Sequence, residues 1–177
     1  MIDNKTYNNV VNTLKNIGAN HKQIATVTTG DIFDINLEKM EKFALMHINP
    51  VNVVTGDFGL TYNFQIFICD LVTKKSNWTE ANFQSANNLS SEQEVLSQCL
   101  QISVDIISML RHSTAQAELD STDINAPLYF SEGQQTLEPF SERFDNLLTG
   151  WVFSLGILVA NDFQTCEIPA TVKGTGE

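Results

Sequence analysis

Histidine is the side chain best suited to metal binding or acid–base chemistry at neutral pH, and its spacing in this chain favours neither role. The three histidines are His21, His47 and His112, and none lies three to five residues from another histidine or from a cysteine. Zinc sites are normally built from such short spacings or from CxxC pairs, so we expect no metal site. His112 and the adjacent Arg111 are expected at the end of a long helix. Positive charge is favourable there, which explains both residues without a catalytic or metal-binding role.

The cysteines and the remaining candidate motifs also predict no catalysis. Cys69, Cys99 and Cys166 lie far apart, outside any nucleophile-elbow pattern, and their odd number leaves at least one unpaired. The stretch DIFDINLE (31–38) lacks the alternating ligands and central glycine of a calcium loop. The stretch GDFG (56–59) is not a phosphate-binding loop, because the Lys-Ser/Thr pair that such a loop needs does not follow it. We therefore expect no enzyme activity and no cofactor.

Composition excludes several further classes of protein. The chain has 177 residues, of which 42% are hydrophobic, enough for one domain with one core. Its net charge is −11 with only 10 Lys and Arg, which disfavours an electrostatic grip on nucleic acid. No run approaches the ~18 apolar residues of a membrane helix. The start, MIDNKTYNN, lacks the pattern of a signal peptide, so folding in a cytosol is expected.

Apolar spacing predicts two helices. From Tyr7 onward, apolar residues recur every three or four positions, and Gly18 is expected to end this helix. The second and longer helix begins at Ser91, which forms a capping box with Glu94, and its apolar stripe extends to Leu110. Polar residues from 113 to 125 are expected to form a linker.

Short apolar or β-branched runs predict the strands, at residues 24–29, 43–48, 51–55, 60–72, 128–130, 137–140 and 151–160. Residues 56–59, with glycine at both ends, suit a hairpin loop between the third and fourth runs. The run 60–72 becomes apolar on both faces, which predicts a central strand. The predicted fold class is α+β: an antiparallel β-sheet with two main helices packed on one face. Residues 1–163 would form a single domain and 164–177 an extended C-terminal tail that lacks hydrophobic periodicity after Phe163.

A long polar arm separates the fourth strand from the second helix. Residues 73–90 read TKKSNWTEANFQSANNLS, in which Trp78 and Phe83 are the only large aromatic side chains. Loops of this length in compact domains are usually functional or disordered, and two aromatic rings on a polar arm favour docking on a partner. Packing of both rings on their own domain is an equal alternative.

The segment PFSERFDNLLTGWVFSLGILVANDF places a charged group beside the most apolar run of the chain. Arg143 lies between Glu142 and Asp145 and could pair within the subunit or across to a neighbour; the alternative is a solvated turn. The alternating residues Trp151, Phe153, Leu155, Ile157 and Val159 are expected to face the core. An interface role would then fall to the edge and flanks of this strand.

The order of these motifs carries a resemblance. The first part of the pattern consists of the stretches YNNVVNTLKNIGANH, TGDIFDIN, FALMHINPVNVV, LTYNFQIFICDLV and SEQEVLSQCLQISVDIISML. The second part consists of PFSERFD, GW, an apolar strand and the CEIP of residues 166–169. Together they resemble the tail-completion and head-to-tail joining proteins of tailed bacteriophages, including ring proteins of the crassvirus neck. The resemblance rests on the length of the matching pattern, which spans most of the chain, and not on any catalytic signature.

The resemblance implies assembly rather than catalysis. It implies a virion structural protein in the neck or tail, made in the bacterial host cytoplasm, that closes into a ring of roughly six or twelve copies. Its partners would be itself, the portal or adjacent connector and tail ring proteins, and double-stranded DNA that passes through without specific binding; no membrane partner is expected. The alternative function is a soluble adaptor or assembly chaperone that binds through Trp78 and Phe83.

Two sets of residues are expected at the interfaces of such a ring. The expected subunit or ring interface comprises Trp78, Phe83, Glu142, Arg143, Asp145, Cys166, Ile168 and Pro169. The expected wall of the DNA conduit comprises Asp57, Asp120 and Asp123, because these acidic residues lie on connections between elements and would repel phosphate. Ordinary solubility is the alternative reason for the acidic surface.

Overall fold

The computed structural model describes residues 7–31, 43–56, 59–72, 91–119, 129–131, 134–143 and 148–160. The two helices within these ranges are α1 (Tyr7–Asn20) and α2 (Ser91–Leu119). The strands are β1 (Thr26–Thr29), β2 (Leu45–Thr55), β3 (Gly59–Leu71), β4 (Tyr129–Ser131), β5 (Leu137–Arg143) and β6 (Leu148–Ala160).

The strands form one mixed sheet in the order β1-β2-β3-β6-β4, and β5 also pairs with β6. Strands β4 and β5 share the outer side of β6, where β4 pairs with residues 157–159 and β5 with residues 148–153. Strand β3 lies between β2 and β6, so its central position is confirmed. The α+β class is confirmed as well. All pairs are antiparallel except β1 with β2, which is parallel.

Both helices pack on the same face of the sheet, as predicted. Their three- and four-residue spacing forms one apolar stripe on each helix, and the alternation of β3 and β6 supplies the opposing surface. This core comprises Val10, Val11, Leu14 and Ile17 of α1, Cys99, Ile102, Ile106 and Leu110 of α2, and Met46, Ile48, Phe64, Ile66, Ile68, Phe153, Leu155, Ile157 and Val159 of the sheet. Each such buried side chain contributes about 1.5–3 kcal/mol relative to exposure.

Strand β6 is the main contact between the sheet and α2. The predicted alternation is confirmed, because Phe153, Leu155, Ile157 and Val159 are buried and Trp151 packs partly buried against the same core. The Trp151 Nε1–H also donates a hydrogen bond to the Leu96 carbonyl of α2, at 2.8 Å.

A smaller apolar cluster lies on the opposite face at one end of the sheet. It contains Leu45, Cys69, Phe140 and Leu148, with Phe43, Phe67 and Val152 partly buried beside it. The rings of Phe67 and Phe140 meet edge to face with their centroids 6.0 Å apart. Strand β3 therefore has apolar residues on both faces at this end, as its sequence indicates.

Both helices continue beyond their predicted ends. Gly18 lies inside α1, where a Cβ would come within 2.6 Å of the Met46 sulfur and 3.0 Å of a Val27 methyl group. This glycine therefore permits close packing of the helix on β1 and β2 rather than ending the helix. Helix α2 continues to Leu119, so the predicted linker begins too early and the helix-end explanation for Arg111 and His112 is wrong.

Strands β2, β5 and β6 are longer than predicted. Strand β6 begins at Leu148, three residues before the predicted start at Trp151. Strand β2 continues through Asn49 and Pro50, with a register shift between Pro50 and Asn52, where the sequence predicted two separate strands. Strand β5 extends through Arg143, which pairs with Leu148 at the start of β6. The backbone of Glu142 and Arg143 is thus part of the sheet, which corrects the alternative of a solvated turn at these two residues.

Candidate interaction surface

The outer edge of β2 carries no strand along residues 49–55 within the described parts of the chain. Strand β1 pairs in parallel with residues 45–48 only, whereas β3 pairs with β2 as far as Thr55. Among the described strands, the segment 49–55 is therefore a free sheet edge, which we call the open β2 edge. A free edge presents unpaired backbone N–H and C=O groups that can pair with an added strand.

The register identifies the backbone groups that face outward. Gly56 N donates to Gly59 O at 2.8 Å, so Gly56 faces β3. Alternation along an antiparallel pair then directs Asn52 and Val54 toward β3, and Val53 and Thr55 outward. The open β2 edge thus offers the N–H and C=O of two residues for pairing.

Pro50 marks where the parallel ladder with β1 ends. Gly30 N donates to Ile48 O at 3.1 Å, and the next hydrogen bond of this ladder would need an N–H at residue 50, which proline lacks. The Gly30 carbonyl instead accepts a hydrogen bond from His47 Nε2, at 3.1 Å. Proline is tolerated at a sheet edge for this reason.

Three valines make the open β2 edge apolar. Val51, Val53 and Val54 are 53%, 48% and 52% exposed. Residues 49–55 carry no charge, although 18% of the chain is charged. Soluble proteins usually protect a free edge with charged residues or proline, and β5 follows this rule with Glu138 and Pro139. Beyond Pro50, the open β2 edge carries neither a charged residue nor a proline.

His47 is a structural residue of the sheet. It is 1% exposed, and its Nε2–H donates to the Gly30 carbonyl. In the neutral ring, Nδ1 then accepts from the Thr28 hydroxyl at 2.8 Å. The ring also lies near Phe67, with centroids 6.2 Å apart. With both nitrogens engaged and the ring buried, His47 is a connection between β1 and β2 rather than an acid–base group.

His21 connects α1 to α2. Its Nδ1 accepts a hydrogen bond from Gln23 N, which leaves Nε2 to donate to Asp105 Oδ2 at 3.4 Å. Gln101 holds the same carboxylate through Oδ1, at 2.9 Å. This contact, at the end of α1, positions the two helices relative to each other.

Cys69 and Cys99 are buried free thiols. Burial raises the pKa of Cys99 to about 12, and nearby Asp70 adds to this shift. Burial also raises the pKa of Cys69, with smaller contributions from Cys99 and Asp70. Thiolate is the nucleophile and metal ligand, so both side chains are held in their unreactive form. Among the described residues, no group of three or more His, Cys, Asp and Glu side chains could hold a metal ion.

The predicted interface residues fall almost entirely outside the described parts of the chain. Only the backbone of Glu142 and Arg143 is described, at the end of β5. The remaining predicted interface and conduit residues lie outside the described ranges; they are Trp78, Phe83, Asp145, Cys166, Ile168, Pro169, Asp57, Asp120 and Asp123. The open β2 edge was missed because Pro50 was interpreted as a break between strands. The signal that could have revealed it is an uncharged, valine-rich run that directly follows a proline.

No protein-family model and no curated protein matches this sequence.

In the described segments, no helix is both long enough and apolar enough to cross a membrane.

Proposed function

We propose that this chain is a virion structural protein that forms a ring in the head-to-tail connector of a tailed bacteriophage. The observation that carries the proposal is the open β2 edge. Its residues carry no charged side chain and its valines are about half exposed, which suits contact with another chain. The resemblance of the motif order to tail-completion and joining proteins supplies the biological setting. The ring would join the portal to the tail and let DNA pass.

Ring closure requires two different patches on each subunit. A contact in which one patch meets its own copy produces a dimer, whereas head-to-tail contacts between unlike patches close into a ring. The open β2 edge supplies one patch. A second apolar patch lies on α2, where Leu100 and Val104 are one helical turn apart and 36% and 44% exposed. The two patches belong to different elements, so each subunit offers more than one surface for contact with its neighbours.

The decisive experiment is electron microscopy of assembled particles. A ring of roughly six or twelve copies at the neck supports the proposal. Because attraction to DNA rises with every Lys or Arg that meets a phosphate, we expect acidic side chains, Asp57, Asp120 and Asp123 among them, to outnumber basic ones on the inner wall. A mainly basic bore, or an assembly without a bore, would contradict the conduit.

The arm at residues 73–90 gives a second test of assembly. If the indole side chain of Trp78 anchors on a neighbouring subunit, its replacement with alanine is expected to weaken subunit association by about 2 kcal/mol, roughly thirtyfold. Native mass spectrometry would measure association, and circular dichroism would check the fold.

The matched control for Trp78→Ala is Trp151→Ala. Trp151 packs against the core and donates to the Leu96 carbonyl, so its removal should lower stability instead. If Trp78→Ala also lowers the unfolding temperature and leaves association unchanged, Trp78 belongs to the core of its own subunit and the docking role is wrong.

The alternative function is a soluble adaptor or assembly chaperone that binds a partner through Trp78 and Phe83. A connector subunit can stay monomeric until it meets its partner ring, so purified virions separate the two functions better than the free protein. Presence of the chain in mature particles, in stoichiometric copies, supports the ring. Absence from the particles, together with binding to an assembly intermediate, supports the chaperone.

A further inference from the structure

We propose that the open β2 edge accepts, as an added strand, residues 165–173 of a neighbouring copy of this chain. The inference deepens the proposed function, because it names the segment that would hold one subunit to the next. It rests on that function for the choice of a neighbouring copy as the donor and for closure of the ring. Strand addition to a free edge is a common mode of protein association in which backbone hydrogen bonds supply affinity.

The acceptor side rests on geometry. Val53 and Thr55 direct their N–H and C=O groups away from β3, and Val53 and Val54 lie on opposite faces of the strand. Both valines are about half exposed in the monomer. An added strand would satisfy the outward backbone groups and cover both side chains, so the monomer leaves an incomplete edge that a second chain can complete.

The donor side rests on where the chain leaves the sheet and on the residues that follow. Ala160, the last residue of β6, pairs with Gly59 beside the hairpin turn, at the end of the sheet where the open β2 edge also ends. From that point, Cys166, Ile168, Ala170 and Val172 alternate with Glu167, Pro169, Thr171 and Lys173. This alternation is typical of a strand with one apolar face. The expectation that the tail adds no regular element to the core of its own subunit stays a prediction, because residues 164–177 lie outside the described parts of the chain.

The composition of the segment suits an edge position in a shared sheet. Pro169 lacks an N–H and is tolerated on the outer side of an added strand, because that side faces no partner. Glu167 and Lys173 lie on the same face of an extended segment, opposite the apolar residues. The open β2 edge contributes no charge of its own, so no charge would be buried without a partner.

Distance alone allows the segment to reach the edge of its own copy. The added strand would lie three sheet positions from β6, or about 14 Å at the usual strand spacing. Residues 160 to 165 can span about 17 Å when extended. Donation to a neighbour is favoured because it creates the head-to-tail contact that a ring requires, and the experiment must separate the two cases.

Disulfide trapping in the full-length chain tests the proposal. Cysteine is introduced in turn at Val51, Val53 and Val54, and Cys166 of the tail is the intended partner. The native Cys69 and Cys99 are buried and do not compete. Diamide oxidises the two thiols to a disulfide and is itself reduced. We expect at least one variant to form covalent dimers and a ladder of higher oligomers on a non-reducing gel, and the same variant with Cys166→Ser to form none.

A backbone variant distinguishes strand addition from mere proximity. In the variant that cross-links best among Val51→Cys and Val54→Cys, Val53→Pro removes one outward N–H, and we expect the cross-linking rate to fall about tenfold, the effect of roughly one hydrogen bond. Val53→Thr keeps the N–H and a side chain of similar shape, and should keep most of the rate. An equal rate in the two variants contradicts strand addition.

The outcomes separate this inference from the proposed function. A disulfide within one chain, seen as a faster-migrating monomer, overturns donation to a neighbour. No Cys166-dependent product in any of the three variants overturns the inference while leaving a ring seen by electron microscopy intact. Intermolecular cross-links in a protein that is absent from phage particles support strand donation and overturn the connector function.

Discussion

Replacing Gly150 with alanine is expected to lower the free energy of unfolding by about 3 kcal/mol. Gly150 pairs with Cys69 of β3 on one side and with Phe140 of β5 on the other. A Cβ at this position would clash with the Ile68 carbonyl oxygen and would lie 2.7 Å from the Cys69 Cα. Both are backbone atoms of the central strand, so relief requires β3 and β6 to separate rather than a side chain to rotate.

Gly56→Ala is the matched control for Gly150→Ala. At Gly56, the only described atom that a Cβ would meet is the Gly59 carbonyl oxygen, at 3.6 Å, which is ordinary contact. Its effect should stay within about 1 kcal/mol in either direction. Urea denaturation of the two variants gives the comparison. Equal midpoints would show that the close approach at Gly150 costs little.

The hairpin and the central strand could be predicted because local sequence determines them. Two glycines enclose the turn at residues 56–59, and the two-residue alternation of β3 extends over most of its length. The two-sided apolar end of β3 also indicated its central position. These features need no knowledge of distant residues, since turn chemistry and side-chain alternation are set by the nearest neighbours.

The elements that were predicted poorly depend on distant contacts. Gly18 looked like a helix end, but Met46 and Val27 pack where its side chain would be. Pro50 looked like a break, but its missing N–H falls on the side of β2 where no described strand pairs beyond Ile48. The parallel pairing of β1 with β2 has no signature in a run of four residues. Tertiary packing therefore overrode the local signals at these positions.

The candidate site was only partly accessible from sequence. The uncharged, valine-rich run at residues 51–54 is visible there, but its exposure depends on β1 ending at Thr29. The roles of Trp78, Phe83 and the conduit aspartates stay predictions, because these residues lie outside the described parts of the chain. The same holds for the charged residue Asp145.

Above pH ~8.5 the protein is expected to lose stability steeply, because two thiols are held neutral in its core. Burial raises the pKa of Cys99 to about 12 and raises that of Cys69 as well. In the unfolded chain both thiols ionise near pH 8.5. The folded state then binds more protons than the unfolded state, so stability is fully present below pH ~8.5 and falls as the pH rises toward the folded values.

The size of this loss follows from the number of pH units over which only the unfolded chain is ionised. Each thiol that stays protonated in the folded chain and ionises in the unfolded chain lowers the free energy of unfolding by about 1 kcal/mol per pH unit in this window. Over two pH units the two thiols would together remove a few kcal/mol, a substantial part of the stability of a marginal domain. We therefore expect the urea midpoint to fall continuously between pH ~8.5 and pH ~10.5.

Urea denaturation at several pH values from 8 to 10.5 measures the slope, with the Cys69→Ala/Cys99→Ala double variant as the control. The cavities left by alanine lower its stability by an amount that does not depend on pH, so only the slopes are compared. Lysine and tyrosine titrate in both proteins, and the difference in slope isolates the two thiols. A Cys166→Ser chain adds an independent readout, because its two remaining thiols should react with a thiol reagent only after unfolding. Equal pH slopes in the two proteins, or rapid labelling of the folded Cys166→Ser chain, would show that Cys69 and Cys99 are accessible to solvent.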